Sequence, residues 1–254
     1  MSEQIPVAVI GARGRMGSTV VAAVMEAPDL RLVDAVDLGD PIGSVAASEP
    51  RVAVDFTVPV VAEANVHELI DLGINVVVGT TGWDQAALER VREHLSRADG
   101  IGVVIAPNFA LGAVLAMSLA AKAARFFETA EVIELHHPDK VDAPSGTARK
   151  TAEAIAAARS NAGLGAQTDA TDPTRSLQGA RGAEVDGVHV HSVRLRGLVA
   201  HEEILLGNPG EYLTIRHDSL DRVSFMPGVL LAVREVMKRS GLTLGLEPLL
   251  GLGD

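Results

Sequence analysis

The chain has 254 residues, of which 47% are hydrophobic and 22% are charged, and it contains no cysteine. This apolar fraction is enough to build a buried core, so a globally disordered protein is excluded. Without cysteine, disulfides, thiolate catalysis and Cys-ligated metal sites are excluded as well. The net charge of −11 argues against a general nucleic-acid-binding protein, because such proteins carry a basic surface.

One uncharged stretch, residues 100–121, is long enough to cross a membrane. Pro107 and Asn108 interrupt it in the middle, so we expect a buried strand, a turn and a helix there. The amino-terminal residues lack the basic and apolar regions of a signal peptide. We therefore expect a cytoplasmic protein whose partners include neither a membrane nor a nucleic acid.

In the first part of the chain, apolar runs alternate with amphipathic stretches. The runs predict five strands, at residues 5–10, 30–37, 52–56, 74–78 and 101–105. The stretches between them predict helices at residues 18–27, 59–72 and 84–97. Because the connections are short, we expect one parallel sheet with right-handed crossovers.

The most distinctive loops all follow strands. They are GARGRMG at residues 11–17, DFT at 55–57, GTTG at 79–82 and APNF at 106–109. The carboxyl ends of parallel strands meet at one edge of a sheet, where such folds bind their ligands. The sequence therefore predicts an α/β fold that begins with a doubly wound, Rossmann-like, dinucleotide-binding domain.

The pattern changes near residue 110, which predicts a domain boundary. We expect a helix at residues 112–127, a strand at 130–136, a helix at 147–160 and a long loop at 161–187. Three strand-like runs follow, at residues 188–199, 202–206 and 211–217. Their consecutive order favours antiparallel pairing, with a turn at residues 208–210. A helix at 226–239 and an apolar tail end the chain.

Three glycines with the spacing G-x-x-G-x-x-G, namely Gly11, Gly14 and Gly17, join the first strand to its helix. Exposed amides and the helix dipole at such a turn favour a phosphate. Asp37 ends the second strand about 20 residues further on, where a carboxylate accepts hydrogen bonds from an adenosine ribose. The alternative is a strand–helix turn that needs glycine for its shape alone.

Two arginines in this loop bear on the choice of cofactor. Asp37 repels a 2′-phosphate, whereas Arg13 and Arg15 could stabilise one, unless both are solvated surface residues. We therefore predict that NADH binds well and that NADPH is also accepted.

The segment HHPDKVDAPSGT concentrates chemistry-bearing groups. His136, His137 and Lys140 can move protons near neutral pH or hold an anion. Ser145 is a candidate helix N-cap, which leaves the amides of Gly146 and Thr147 for a carboxylate. The pattern predicts a pocket for a small dianion.

Other interpretations of these histidines stay open. The pair could be structural, or it could bind a metal with His189 and His191, although zinc needs three or four convergent ligands. A serine hydrolase is disfavoured because no G-x-S-x-G elbow precedes a helix.

Together, GARGRMG, VDFT, GTTG, APNFALG, ELHHPDKVDAPSGTA, RLRGLVAHEEILLG and RVSFMPG resemble the 4-hydroxy-tetrahydrodipicolinate reductase (dihydrodipicolinate reductase) family, most closely its actinobacterial form. The resemblance implies an oxidoreductase of lysine biosynthesis by the diaminopimelate route. It implies reduction of 4-hydroxy-tetrahydrodipicolinate, via dihydrodipicolinate, to tetrahydrodipicolinate with NADH or NADPH and no metal. It also implies a homotetramer.

The resemblance further implies a domain organisation. Residues 1–109 and 222–254 form the dinucleotide-binding domain, and residues 110–221 form an α+β domain with a mixed sheet for substrate binding and tetramerisation. Two departures are Glu202, where His or Gln is more usual, and Arg196, where a smaller residue is common. No role is assigned to His201 or Glu202.

The resemblance also assigns residue roles. His136 is the catalytic acid/base and Lys140 the proton donor. The substrate-binding residues are His137, Ser145, Gly146 and Thr147. The cofactor-binding residues are Gly11, Ala12, Arg13, Gly14, Arg15, Met16, Gly17, Asp37, Gly79, Thr80, Thr81, Ala106, Pro107, Asn108 and Phe109.

Three competing functions stay open from the residues alone. Another two-domain dehydrogenase would share the first domain but leave HHPDK…PSGT unexplained. A dinucleotide sensor without turnover has no need of proton donors. A metal-dependent hydrolase predicts bound zinc in the purified protein.

Overall fold

The computed structural model describes residues 3–172 and 174–252. The chain divides into two compact units. The first unit comprises residues 1–111 and 222–254, and the second comprises residues 112–221.

The described residues form strands and helices that are numbered here in chain order. The strands are β1 (Ile5–Ile10), β2 (Leu30–Val36), β3 (Val52–Asp55), β4 (Asn75–Val78), β5 (Gly102–Ile105), β6 (Thr129–His136), β7 (Ala183–Val185), β8 (Val188–Arg194), β9 (Ala200–Asn208), β10 (Glu211–Ser219) and β11 (Gly241–Leu244). The helices are α1 (Arg15–Glu26), α2 (Pro59–Asp71), α3 (Gln85–Leu95), α4 (Leu111–Ala124), α5 (Gly146–Asn161) and α6 (Met226–Val236).

The first unit contains a six-stranded parallel sheet in the order β11-β5-β4-β3-β1-β2. Its central strands are continuous Val, Ile and Ala runs that are buried on both faces, as expected for a sheet covered by helices on each side. The α/β, Rossmann-like prediction is therefore confirmed.

The carboxyl-terminal tail contributes a strand that the sequence did not predict. Residues 241–244 pair in parallel with β5 at the edge of the sheet. The run Gly-Leu-Thr-Leu is short and mostly half-exposed, so it has neither a buried apolar run nor clear alternation.

The second unit contains a mixed sheet in the order β10-β9-β6-β8-β7, as the family resemblance implied. The predicted antiparallel pairing is correct for β9 and β10, which are joined by a turn at Pro209 and Gly210. It is wrong for β8 and β9, because β6 lies between them and pairs with both. The crossover through α5 places β8 parallel to β6, and the chain then passes β6 to form β9.

The predicted loop at residues 161–187 is more ordered than expected. Residues 183–185 form β7, which pairs with β8 as a hairpin. Gln167 accepts a hydrogen bond from the Ala130 N–H and donates one to the Gly187 carbonyl at 2.8 Å. Arg181 pairs with Glu131 on β6. The described part of the segment is therefore tied to the sheet by side chains that carry no periodic signal.

Alanine dominates the core of the second unit. Ala116, Ala120 and Ala124 of α4 and Ala148 and Ala152 of α5 pack on the sheet with apolar residues of β6, β8 and β9. Small side chains let a helix approach a sheet closely. Residues 100–121 form a strand, a turn and a helix as expected, and within the described chain no helix combines the length and apolarity that a membrane crossing requires.

Candidate functional site

The loop after β1 turns sharply from strand into helix. Gly11 has a φ of +78°, and the N–H groups of Gly11 and Ala12 donate to the Val36 carbonyl. Gly14 is the N-cap of α1, and within this cap and first turn there is no capping side chain and no acidic residue. The amides and the positive end of the helix dipole therefore favour an anion here. Met16, in the first turn, is half-buried.

Close packing explains two of the three glycines. A Cβ on Gly17 would lie 2.0 Å from the Gly11 carbonyl oxygen, and a Cβ on Gly11 would lie 2.9 Å from the Phe56 carbonyl oxygen. Gly14 is exposed, and its Cβ would lie 3.1 Å from the Gly11 oxygen. Gly11 and Gly17 thus bring the helix onto the loop, and Gly14 keeps the loop backbone open to solvent.

Asp37 follows β2 and lies beside this loop. Its carboxylate accepts hydrogen bonds from the N–H of Leu38 at 2.7 Å and of Arg13 at 2.5 Å. These two bonds lower the pKa of Asp37, so the group is ionised near neutral pH. The side chains of Arg13 and Arg15 are exposed, and the Arg13 guanidinium lies 3.9 Å from Asp40.

Asp55, at the end of β3, organises the neighbouring loops although it is fully buried. Its carboxylate accepts hydrogen bonds from the hydroxyl of Thr57 at 2.7 Å, the amide of Asn65 at 2.8 Å and the hydroxyl of Thr80 at 3.0 Å. A Cβ on Gly79 would lie 2.0 Å from the Phe56 ring. These contacts fix the backbone of the GTTG loop, whose Thr81 side chain is exposed.

The APNF loop follows β5. Ala106 and Phe109 are buried, and the Phe109 ring lies 5.8 Å from that of Phe56. Pro107 is exposed and Asn108 is half-buried. Of this loop, Pro107 and Asn108 are therefore the residues with side chains that a ligand in solvent can reach.

In the second unit, His136 ends β6 and is held by Glu134. The His136 Nδ1 lies 2.5 Å from Glu134 Oε2. Side chains alternate between faces along a strand, so residues two apart lie on the same face. Because Glu134 is ionised, it accepts the bond, and the Nδ1 of His136 carries the proton. The imidazole Nε2 is then the ring nitrogen that can exchange a proton with a ligand.

Arg194 at the end of β8 keeps Glu134 ionised. Its two terminal nitrogens donate to the two carboxylate oxygens, each at 2.8 Å, and the Ser145 N–H donates at 3.2 Å. Burial by itself raises the pKa of Glu134, but the hydrogen bonds from His136 and Arg194 outweigh it and lower the pKa to about 2. Glu134 is therefore negatively charged at neutral pH, in contact with His136.

Lys140 lies in the turn after β6. Its Nζ is 2.8 Å from Asp142 Oδ1, and the other Asp142 oxygen accepts from the Gly146 N–H at 3.3 Å. The ion pair lowers the pKa of Asp142. Asp142 thus occupies both an ammonium group and a helix amide, which are the two kinds of donor that a ligand carboxylate would use.

The start of α5 is placed next to these groups. Ser145 is the N-cap, and its buried hydroxyl accepts from the Ala148 N–H at 3.2 Å. The Ser145 side chain is therefore engaged in the helix cap. Thr147 is half-buried, and His137 is exposed. The structure thus brings His136, Lys140 and the first amides of α5 into one region of the second unit.

His189 and His191, the two histidines of β8, lie on the opposite face of the sheet from Glu134. His191 Nε2 is 2.7 Å from Glu131 Oε2, and His189 Nε2 is 3.3 Å from Asp169 Oδ2. Among residues 3–172 and 174–252, no three His, Asp or Glu side chains converge as metal ligands. Each of these histidines instead faces its own carboxylate.

Sequence reasoning missed three residues of these sites. Glu134 had a detectable signal, since it precedes His136 by two residues on one strand. Asp55 was visible as an acid that ends a buried strand. Arg194 had no local signal, because its contact with Glu134 depends on the parallel pairing of β6 and β8.

Comparison with known proteins covers nearly the whole chain. A family model described as dihydrodipicolinate reductase, N-terminus, matches residues 5–109, and one described as dihydrodipicolinate reductase, C-terminus, matches residues 112–250. The 4-hydroxy-tetrahydrodipicolinate reductase of Beutenbergia cavernae is 62% identical over 98% of this chain and 99% of that protein. The enzyme of the same name from Nocardia farcinica is 59% identical over the same shares.

A solved structure is similar as well. It is a dipicolinate-bound dihydrodipicolinate reductase from Paenisporosarcina sp. TG-14, with a TM-score of 0.86 and 37% sequence identity. The match covers 96% of this chain and 99% of that one.

Proposed function

The chain belongs to the dihydrodipicolinate reductase family, and we propose that it performs the family's reaction with His136, Lys140 and the first amides of α5. It is an oxidoreductase of lysine biosynthesis that reduces 4-hydroxy-tetrahydrodipicolinate to tetrahydrodipicolinate with a nicotinamide dinucleotide. The residue roles, the choice of dinucleotide and the assembly are the parts that we propose here.

The first unit fits a dinucleotide. The exposed backbone at Gly14 and the start of α1 suits the pyrophosphate, and the ionised Asp37 suits the ribose hydroxyls. The loop residues at 79–81 and 106–109 then hold the nicotinamide end. When bound, the reduced nicotinamide supplies the hydride. Residues 1–109 and 222–254 thus serve as the dinucleotide-binding domain.

The second unit handles the ring dicarboxylate. The amides of Gly146 and Thr147 bind one carboxylate in place of Asp142, and His137 contacts the substrate. The 4-hydroxyl leaves as water to give the conjugated ring, and charge then builds toward the ring nitrogen and C3 as C4 is reduced, so donors fixed in advance stabilise it. Lys140, released from Asp142, gives the compensating proton, and His136 assists while Glu134 holds its ring.

The single observation that carries the proposal is the buried, ionised Glu134 bonded to His136, because it fixes the orientation of the ring and its tautomer. A general acid needs both of these conditions. A dinucleotide sensor has no use for them.

The test is the turnover of Lys140→Ala in a coupled assay that supplies the substrate and follows NADH absorbance. Losing one well-placed donor lowers turnover by about 10²–10³. The Michaelis constant for the dinucleotide should stay near the wild-type value, since Lys140 lies in the other unit. Lys150→Ala, which removes an exposed lysine of α5, is the matched control. Near-wild-type turnover of Lys140→Ala would remove it from the mechanism.

For the dinucleotide we propose dual use, with NADH bound well and NADPH accepted. Asp37 disfavours a 2′-phosphate, while the exposed Arg13 and Arg15 can turn toward one. Michaelis constants measured for both cofactors test this. Arg13→Ala should weaken NADPH more than NADH, and complete rejection of either cofactor by the wild-type enzyme contradicts the proposal.

We also propose that residues 110–221 assemble the protein into a homotetramer in the cytoplasm. In support, β10 is an edge strand that is exposed over most of its length, including Tyr212 at 77%. Exposed edge strands and sheet faces readily pair with another chain. Light scattering after size-exclusion chromatography should give four times the chain mass.

A further inference from the structure

One buried carboxyl group in the second unit has no place in the mechanism above. Glu202 lies on β9 and is only 7% exposed. Within the described part of the chain, no lysine or arginine forms an ion pair with it, whereas the next residue, Glu203, pairs with Arg216 at 2.7 Å. A buried acid without a cation is costly when ionised, so Glu202 calls for an explanation.

The neighbours of Glu202 place it against the catalytic residues. In the antiparallel pairing of β6 and β9, Glu202 is directly opposite Glu134, and its partner on β10 is His217. Directly opposite residues share a face of the sheet and have Cβ atoms about 5 Å apart. Glu134 in turn holds His136, which lies two residues further along β6 on the same face, so the two carboxyl groups are side by side and the imidazole is next to one of them.

Among the described groups that face Glu202, none is a cation that pairs with it. From β6 it faces Glu134, and from β8 Arg194 is already bound by both Glu134 oxygens. From α5, the buried Thr151 hydroxyl interacts with Glu202 and has no partner at normal hydrogen-bond distance. On β10, burial lowers the pKa of His217. The residues of α4 that pack on this sheet are alanines.

The two carboxyl groups therefore differ in protonation state. Glu134 is bonded to Arg194 and His136 and stays ionised. Glu202 instead stays protonated below about pH 7, since burial, with the nearby charge of Glu134 adding to it, raises the pKa of Glu202 to about 7. Two adjacent acids with only one set of cations normally separate in this way.

We propose that Glu202 is a positioning residue for the reaction, because its carboxyl group, placed opposite Glu134, sets how strongly His136 holds its proton. The proposal rests on the function proposed above only for the importance of His136 in turnover. While Glu202 is protonated, His136 lies above one negative charge. When Glu202 loses its proton to solvent, a second negative charge is added beside Glu134 and stabilises the imidazolium form.

The direct test is the nuclear magnetic resonance titration of His136 in the full-length protein, with the signal assigned by its loss in His136→Asn. Glu202→Gln keeps the size and polarity of the side chain but cannot ionise. A charge several ångströms away in a partly buried site moves a titration midpoint by about 0.5–1 pH unit. The His136 midpoint should fall by that amount in Glu202→Gln.

Two further variants make the comparison specific. Glu203→Gln removes the adjacent carboxylate on the opposite face of β9 and should leave the His136 midpoint in place. Glu202→Asp keeps an ionisable group and should restore most of the wild-type midpoint. Equal midpoints in the wild type and Glu202→Gln overturn the proposal, as does a shift of the same size in Glu203→Gln.

The pH profile of turnover gives the second readout. In Glu202→Gln the alkaline limb should move to lower pH by the same amount as the His136 midpoint, with the substrate Michaelis constant at low pH unchanged. A moved midpoint with an unmoved limb overturns a role of Glu202 in turnover. If the wild-type protein lacked reductase activity, the function proposed above would fail, and the titration would still decide the coupling.

Discussion

The same substitution, glutamate to glutamine, should change stability in opposite directions at two residues that pair across β6 and β9. Glu134 has a pKa lowered from 4.5 to about 2, and Glu202 has a pKa raised from 4.5 to about 7. Each difference corresponds to about 3 kcal/mol of differential stability between the charged and neutral forms.

For Glu134, ionisation stabilises the folded chain above about pH 4.5, and this stabilisation is lost as the pH falls toward 2. Glu134→Gln should therefore lower the free energy of unfolding at pH 7 by about 3–5 kcal/mol, which includes the cost of leaving Arg194 without its carboxylate. For Glu202 the sign is reversed. Its neutral form is favoured in the folded chain, and stability is lost as the pH rises from 4.5 through 7. Glu202→Gln should then raise the free energy of unfolding by about 3 kcal/mol at pH 8 and by little near pH 4.5.

Urea unfolding followed by circular dichroism, at one fixed protein concentration and several pH values, measures both effects. Glu89→Gln is the matched control, because Glu89 forms an exposed surface pair with Arg92 that should contribute under about 1 kcal/mol. If Glu202→Gln destabilised the protein at pH 8, or if its effect did not depend on pH, the assignment of a protonated Glu202 would be wrong.

Three further substitutions follow from the packing and the hydrogen bonds. Gly17→Ala should weaken dinucleotide binding at least tenfold and lower stability, because the alanine Cβ would lie 2.0 Å from the Gly11 carbonyl oxygen. Ser18→Ala, at an exposed position on α1, is the control in the same binding titration. Arg159→Met should lower the free energy of unfolding in urea by about 2–3 kcal/mol, since the buried guanidinium donates to the carbonyls of Phe127 and Glu128. Arg149→Met, at an exposed position, is the control, and a similar loss there would show that these bonds are not the cause. Thr80→Val should raise the Michaelis constant for the dinucleotide with little change in that for the substrate, because it removes a hydrogen bond to Asp55 that fixes the GTTG loop; an equal effect on both constants would contradict this.

Much of the first unit could be predicted from the sequence. Continuous Val and Ile runs, each followed by a glycine-rich or polar loop, are the pattern of strands buried on both faces, and they led to the parallel sheet. The family, its fold and its reaction, recognised from the HHPDK…PSGT segment and the accompanying loops, are confirmed. The individual site residues stay predictions.

Two kinds of feature could not be predicted. Short edge strands such as β7 and β11 bury little apolar surface, so their sequences carry no clear periodicity. Contacts between strands that are distant in sequence depend on the order of strands in the sheet. The order of the strand-like runs along the chain suggested that β8 and β9 are neighbours, whereas β6 lies between them. The Arg194–Glu134 pair and the Glu202–Glu134 pair both depend on that order, so neither had a signal in the sequence.

The first unit is built from one piece of chain that precedes the second unit in sequence and one that follows it, and one of its two edge strands, β11, comes from the later piece. During synthesis, the edge of β5 therefore stays without its partner while the whole of the second unit is made. A nascent chain that stalls after residue 221 would carry an open sheet edge, which is the kind of surface that recruits chaperones or aggregates. Because β11 is synthesised after the whole second unit, deletion of residues 241–254 should lower the yield of folded protein in the cell by leaving the edge of β5 unpaired.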